Sequence, residues 1–502
     1  MTAPLQTPHD QPSALAQSLP HPLLGLAQTY PHRPFLNHLS ASELLKGVRE
    51  AMSVLCELCE QAREGELGEL QSKRVGLSGA YDERWVCWAL AINALGATLA
   101  PIKHEATVEE RALLSEVLEL DVCFEVSALE GLLAQHTKPH FSHLSLSPWA
   151  WERPLFALTT SGTTGKPKPV LLTTRALTMS AFGSMTRLGH LPNDRWLACL
   201  PLHHVGGLSM LTRALLQQTA LTLCSPAPSA LAQGLLSGEH SLCSLTPTLL
   251  SGLLDELEPL AARDPAALAP MQGRLRVLLL GGARTPKPLW RRAEALKLPV
   301  RLTWGMSEAA SQVCTQLTTA PPGGALPPLP FQSVSLTEEG VLRVCSPTTE
   351  RGVHLTSDLG ALDERGWVQV IGRRDDVVIS GGVNLNPHEV EERLAAHPLI
   401  ADVAVVGAPD ERWGEALIAH LTSASALLLT DDQLPTDDQL PTDDELRAWC
   451  YKTLSRYKCP KRFVWHSALP RDPLGKLRRH LLRDTSRPSH PAQPAPHEEP
   501  PL

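Results

Sequence analysis

Surplus positive charge is missing from this chain. Its 45 lysines and arginines face 53 aspartates and glutamates, a net charge of -8, so nothing in the overall balance draws nucleic acid or an anionic membrane surface. Long apolar runs are missing too, and the polar, proline-rich start from Met1 to Pro20 has neither the basic nor the apolar region of a signal peptide. The expected compartment is therefore the cytoplasm, with no membrane insertion. A disulfide framework is excluded by the cysteines, 11 in number and dispersed, which suit reduced thiols. Cys56 and Cys59 do form a Cys-x-x-Cys pair, but it lies in a long helical pattern from Ala41 to Gln61, with no second pair or histidine at ligand spacing. At 502 residues the chain can bury a large core and should hold more than one domain.

What is present is concentrated in ten residues, Thr159-Thr160-Ser161-Gly162-Thr163-Thr164-Gly165-Lys166-Pro167-Lys168. So much hydroxyl, glycine and lysine in one stretch suits the holding of phosphates. An apolar run, Pro154 to Leu158, precedes it and another, Val170 to Leu172, follows, which predicts a flexible loop between two strands. Gly162 and Gly165 allow backbone N–H groups close to phosphate oxygens, Ser161, Thr163 and Thr164 add hydroxyl donors, and Lys166 and Lys168 add charge. A P-loop is ruled out by spacing. Only two residues separate Gly162 from Gly165, and Pro167 follows Lys166 where that motif needs Ser or Thr.

Elsewhere, apolar helical segments such as Trp85 to Leu95 alternate with short strand-like runs such as Arg276 to Leu280, so the expected fold class is α/β, with sheets covered by helices. Thr246-Pro247 and Asn386-Pro387 are helix starts, each a capping residue followed by proline at the first helical position, and Glu389 is placed to complete a capping box with Asn386. A six-residue unit, Thr430 to Pro435, recurs at 436–441 and in part at 442–446. It reads as an expanded acidic loop over 430–446, whose last copy offers Thr442 or Asp443 as cap for a helix beginning at Glu445. Residues 1–20 and the proline- and histidine-rich tail 484–502 carry no apolar pattern and are expected to be disordered.

Thr160 to Lys168 match, position by position, the signature loop of the adenylate-forming enzymes, the family of acyl-CoA and aryl-CoA ligases, peptide-synthetase adenylation domains and luciferases. The resemblance continues in order through Ser244 to Thr248, Gly281-Gly282-Ala283, Trp304 to Glu308, Thr356 to Gly360, Gly372 to Asp376 and Pro470 to Lys476, covering roughly residues 70 to 483. It implies a large N-terminal AMP-binding domain over 21–371, a hinge at 372–376 pivoting on Asp375, and a small mobile α+β C-terminal domain over 377–483. It also implies the chemistry: a carboxylic acid is joined to the α-phosphate of ATP with release of pyrophosphate, and a thiol then displaces AMP.

By that resemblance ATP, magnesium and coenzyme A are the expected partners. Lys476 would bridge the acid and the α-phosphate, where two negative groups must meet. Glu308 would bind magnesium through oxygen, as that hard cation prefers, and Ser307 would offer a hydroxyl to the α-phosphate in place of the usual threonine. Gly281, Gly282 and Ala283 would line the adenine, Trp304 would stack on it where the family usually has tyrosine, and Asp358 and Arg373 would serve the ribose. The Ser380-Gly381-Gly382 loop would meet the CoA thiol after domain rotation. With Thr160, Ser161, Gly162, Thr163, Thr164, Gly165 and Lys168, these make up the nucleotide site.

The acid is the harder question. The segment Pro201 to Arg213 resembles that of o-succinylbenzoate–CoA ligases of menaquinone biosynthesis, which share a His-x-x-Gly pattern, here from His204, and an arginine nine residues on, here Arg213. Their block after the magnesium glutamate resembles Ala310-Ser311-Gln312-Val313. The resemblance gives His204 a catalytic and acid-binding role, with Ser311 and Gln312 lining the acid. A second carboxylate has to be held while the first reacts, and arginine suits that. Another aryl- or medium-chain acyl-CoA ligase, a carrier-loading adenylation enzyme, and a nucleotide-binding regulator without turnover stay open as alternatives, as does the oligomeric state.

Overall fold

The computed structural model describes residues 18–61, 70–135, 144–161, 167–424, 440–471 and 477–484. By internal packing the chain divides in two. The first unit runs from the N-terminus to Val370, and the second comprises Ile371 onward together with 286–288 and 357–359.

In the first unit, five strands form a sheet in the order Val122–Glu125, Arg74–Ser78, Thr98–Ile102, Pro154–Ser161 and Pro167–Thr173. The first four are parallel, and the last two make an antiparallel hairpin. An eight-stranded sheet runs Ser311–Thr315, Val300–Met306, Val277–Leu280, Leu242–Leu245, Arg195–Ala198, Ala220–Leu223, Pro34–Leu36 and Leu39–Ser40. Its central strands are short and wholly apolar or nearly so, as parallel strands covered on both faces must be. Helices supply the cover. The Glu83–Ala94 helix, capped by Asp82, buries Trp85 and Trp88, and the Pro247–Arg263 helix buries four leucines. A four-stranded sheet, Ser333–Leu336, Val341–Cys345, Val353–Leu362 and Val368–Arg373, follows.

In the second unit a long antiparallel pair, Ile400–Asp410 with Gly414–Ser423, is extended along Gly414–Ser423 by the parallel Arg462–His466 strand and, at Gly414, by the hairpin Val378–Ser380 and Val383–Leu385. The Pro387–Ala395 and Asp443–Tyr451 helices bury Val390, Leu394, Leu446 and Cys450 in its core. Both units mix helices and sheets, so the α/β expectation holds. No helix among the described residues is long and apolar enough to cross a membrane.

Local expectations meet mixed outcomes. The Ala41–Gln61 helix appears over its expected span, and Thr246 caps the next predicted helix by accepting from the Leu249 N–H. Asn386 caps the His388 N–H, but the expected box is not made: the Glu389 carboxylate is taken by Lys458, at 2.6 Å and 2.9 Å, an attraction stronger than a neutral backbone donor offers. Thr442 rather than Asp443 is the cap, and the box with Glu445 starts the helix at Asp443, two residues early, so the acidic stretch ends before 446. Ser18 and Leu19, assigned to a disordered start, pair with Ala150 and Trp149. Residues 1–17, 430–439 and 485–502 lie outside the described residues, and Asp484 closes the Arg479–Asp484 helix.

Candidate active site

The hydroxyl-rich stretch is narrower as a loop than its composition suggests. The two flanking strands run into it and pair Thr160 with Lys168 and Ser161 with Pro167, so both ends of the motif are fixed in an antiparallel ladder. Thr160 is half-buried and Lys168 exposed. Gly162, Thr163, Thr164, Gly165 and Lys166 lie outside the described residues, as do Lys476 and the side chain of Ser161.

The strand Val277–Leu280 ends in Gly281, Gly282 and Ala283. Gly281 donates to the Leu245 carbonyl, and a Cβ on it would come within 2.7 Å of Thr303, so only glycine fits there. Gly282 has φ +81°, the left-handed region glycine occupies freely, and is exposed with Ala283. The next strand over, Val300–Met306, carries Trp304, half-buried against the core formed by Ala309, Val313 and Cys314. The pairing with Ser311–Thr315 slips between Trp304 and Gly305, and a Cβ on Gly305 would strike the Ser311 carbonyl. At this bulge the chain makes a single 3-10 turn, Ser307–Ala309, presenting Ser307 and Glu308 half-buried.

Directly after that turn stand two consecutive left-handed residues with side chains, Ala310 at φ 51° and Ser311 at φ 100°. Each costs on the order of 1–3 kcal/mol and persists only where the surroundings fix it. The surroundings here are specific. Ser180 donates to the Ala310 carbonyl at 2.7 Å, and the Ser311 hydroxyl accepts from Arg213 Nη2 at 3.2 Å and from Ser209 at 3.3 Å. Ser209 and Arg213 are one helical turn apart on Val205–Gln217, so they share a face. That helix packs tightly at its start: a Cβ on Gly207 would strike the Leu200 and Pro201 carbonyls.

Arg213 is 2 % exposed, and no carboxylate pairs with it among the described residues. Its Nε is buried with no hydrogen-bond partner there, and burial pushes its pKa down to about 10, so it remains a cation at neutral pH. His204 is the residue before the helix, and its ring does not cap it. The ring lies 4.2 Å from that of His203, whose Nδ1 is 2.8 Å from the Tyr81 hydroxyl. Burial, with Lys103 nearby and against the pull of Glu105, lowers the pKa of His203 to about 4, so it is neutral. Gln312 points elsewhere: its amide donates to the Thr315 hydroxyl at 2.8 Å inside the sheet.

The structure thus brings Arg213 and Ser311 together and sets Gln312 into a separate buried network. Ser209 is a neighbour that sequence reasoning passed over, although its four-residue spacing from Arg213 was a signal. Tyr81, 122 residues from His203, left none.

In the second unit, Arg373 lies 3.9 Å from Asp358 and 3.6 Å from Asp375. Asp375 sits in a 3-10 turn, Arg374–Asp376, and its carbonyl accepts from Arg483. Gly381 and Gly382, at φ 57° and 81°, form the two-residue turn of the Val378–Leu385 hairpin, the geometry in which both turn positions need a left-handed backbone.

This fold, with hydroxyl- and glycine-rich strand ends in one unit and a small second unit, defines the class: adenylate-forming enzymes. The model of the AMP-binding enzyme family matches residues 64–353, more than half of the chain, and that of the AMP-binding enzyme C-terminal domain matches 389–476; the chain belongs to the AMP-binding enzyme family. It is 33% identical over 360 residues to a 2-succinylbenzoate–CoA ligase of Bacillus cereus, covering 66% of this chain and 70% of the relative. The o-succinylbenzoate CoA synthetase of Bacillus subtilis, solved with its acyl-adenylate intermediate, superposes with a TM-score of 0.77 at 25% identity, over 95% of this chain and 99% of that one. The same synthetase with ATP and magnesium gives 0.76 at 26% identity, over 93% and 99%.

Proposed function

We propose that this protein is an ATP-dependent acid–CoA ligase that converts o-succinylbenzoate first to its acyl-adenylate and then to its CoA thioester. The observation that carries the choice of acid is Arg213, a buried cation without a carboxylate partner among the described residues. A buried unpaired charge costs several kcal/mol, and an anionic group on the substrate would remove that cost. The acid has two carboxylates. One would lie against Arg213 and the Ser311 hydroxyl while the other reacts. The Bacillus relatives, which are named for the same acid, support this choice.

The residues around the turn after Met306 suit magnesium. Glu308 offers one carboxylate, and this cation is commonly held by one or two carboxylates plus phosphate oxygens and water. When bound there it would neutralise charge on the phosphates. Thr160, Ser161 and Lys168, with the glycines and threonines between them, would hold those phosphates, and Ser307 would donate to the α-phosphate. Gly281 to Ala283 and Trp304 would take the adenine, and Asp358 the ribose, steadied by Arg373. Lys476 would bring positive charge to the meeting of carboxylate and α-phosphate, and the Gly381-Gly382 turn would admit the CoA thiol.

The test is pyrophosphate release across a panel of aromatic, aliphatic and dicarboxylic acids, with CoA supplied. Highest kcat/KM for o-succinylbenzoate, with its CoA thioester as product, is the expected result. Release with a simple aryl or medium-chain acid but not with o-succinylbenzoate would overturn the choice of acid. Thioester formed only on a carrier protein would overturn the choice of thiol.

A further inference from the structure

Ser180, in the middle of the Thr174–Leu188 helix, has no part in the function argued above. A serine inside a helix ordinarily turns its hydroxyl to solvent or to the carbonyl one turn back. This one is 2 % exposed and reaches across 130 positions of sequence to donate to the Ala310 carbonyl. That carbonyl belongs to the same peptide unit as the Ser311 nitrogen. Holding it holds the plane of the 310–311 peptide, and with it the φ of Ser311 at 100°, where a residue with a Cβ does not settle by preference. The Ser311 hydroxyl is thereby aimed at Ser209 and Arg213.

We propose that Ser180 is a positioning residue for acid recognition, setting the Ser311 hydroxyl against the Arg213 guanidinium without touching the acid itself. The proposal rests on the reading of Arg213 and Ser311 as the acid end of the site. Glu308 lies two peptide units upstream and is held separately through the Ala310 N–H to Ser307 carbonyl bond, at 3.0 Å, so the effect falls on the acid and spares the nucleotide. The same helix contains a control. Ser184, one turn on, is 1 % exposed, and its hydroxyl has no hydrogen-bond partner among the described residues.

The experiment measures kcat and the KM values for o-succinylbenzoate and ATP in Ser180→Ala, Ser180→Thr, Ser184→Ala, Ser311→Ala and the Ser180→Ala/Ser311→Ala double variant, with the Tm of each. Ser180→Ala should raise the KM for the acid about tenfold, while kcat and the ATP KM stay within about twofold, as for loss of one buried hydrogen bond. Ser180→Thr should recover most of the loss, and Ser184→Ala should match the wild type. In the Ser311→Ala background, adding Ser180→Ala should cost less than about twofold more, because the hydroxyl it aims is gone. Losses that multiply in the double variant, an equal rise in the ATP KM, or the same loss from Ser184→Ala would each overturn the proposal. A wild type inactive on o-succinylbenzoate would sink the choice of acid instead, and the same cycle run on the acid the panel selects would then decide the role of Ser180.

Discussion

Arg213, a buried cation with no carboxylate partner among the described residues, is the residue most tied to a choice of substrate. Truncating it in Arg213→Ala should lower kcat/KM for o-succinylbenzoate about ten- to a hundredfold, the worth of a charge-assisted hydrogen bond, and lower it far less for benzoate, which has no second carboxylate. A proportional fall for both acids would assign the residue to helix packing. The unliganded protein should respond in the opposite direction. Replacing this buried cation, which has no carboxylate partner among the described residues, by an apolar side chain of similar length, Arg213→Met, should leave the apoprotein as stable or more so, by up to about 1–3 kcal/mol in denaturant unfolding. A large destabilisation would mean that the guanidinium has a structural partner. Glu308→Gln tests the other end of the turn: adenylation should fall about a hundred- to a thousandfold, while thioester formation from supplied acyl-adenylate is kept. At this scale Arg213 and Ser311, both named by the resemblance and set 3.2 Å apart in the structure, were legible as neighbours. Ser180 and Tyr81 were not, because their hydroxyls act on groups more than a hundred positions away, and no local pattern records such a contact.

The Gly381-Gly382 turn carries the clearest prediction for a single element. Gly381 is at φ 57°, and a Cβ there would stand 2.9 Å from the Trp413 ring, whereas Gly382, at φ 81°, faces open space. Gly381→Ala therefore adds a steric clash to the left-handed penalty of roughly 1–2 kcal/mol, and Gly382→Ala adds the penalty alone. If this turn admits the thiol, Gly381→Ala should slow thioester formation at least tenfold more than adenylation, measured as separate single turnovers, and Gly382→Ala should do so less. Equal loss in both steps would place the thiol elsewhere. Elements with a strong period or cap were plain in the sequence, as the Ala41–Gln61 helix shows. Competition for side chains was not. Glu389 has the spacing of a capping-box residue and is drawn off by Lys458, 69 positions away; the strands around Thr160 and Lys168 extend into a motif that looked like pure loop.

For the whole molecule, length indicated more than one domain and the motif order indicated which family, but strand order was hidden: nothing local places Pro34–Leu36 beside Ala220–Leu223. Pairing of that kind is settled by burial summed over the chain. The same burial couples both units to pH. His21 in the first unit and His420 in the second are both 0 % exposed. Burial, aided by Arg153, holds the pKa of His21 at about 3; burial, aided by His466 and Arg462, holds that of His420 at about 4. Both values lie below the ordinary 6.5, so the unfolded chain takes up protons that the folded chain refuses. Stability from this source is complete above that ordinary value and is lost as the pH falls toward the folded pKa of each. Between there and about pH 5 each histidine should forfeit roughly 2 kcal/mol, at about 1.4 kcal/mol per pH unit. Glu391, raised by burial but lowered overall by Arg479 and His388, gives stability that is fully present above the ordinary carboxylate value and is lost only as the pH falls below it, so it does not confuse that window. Denaturant unfolding at about pH 7, 6 and 5 should show stability falling steadily, and His420→Gln, which titrates in neither state, should flatten the slope by about one proton's worth. An unchanged slope in His420→Gln would mean that this imidazole takes up its proton in the folded protein much as it does in the unfolded chain, and that burial does not hold it neutral.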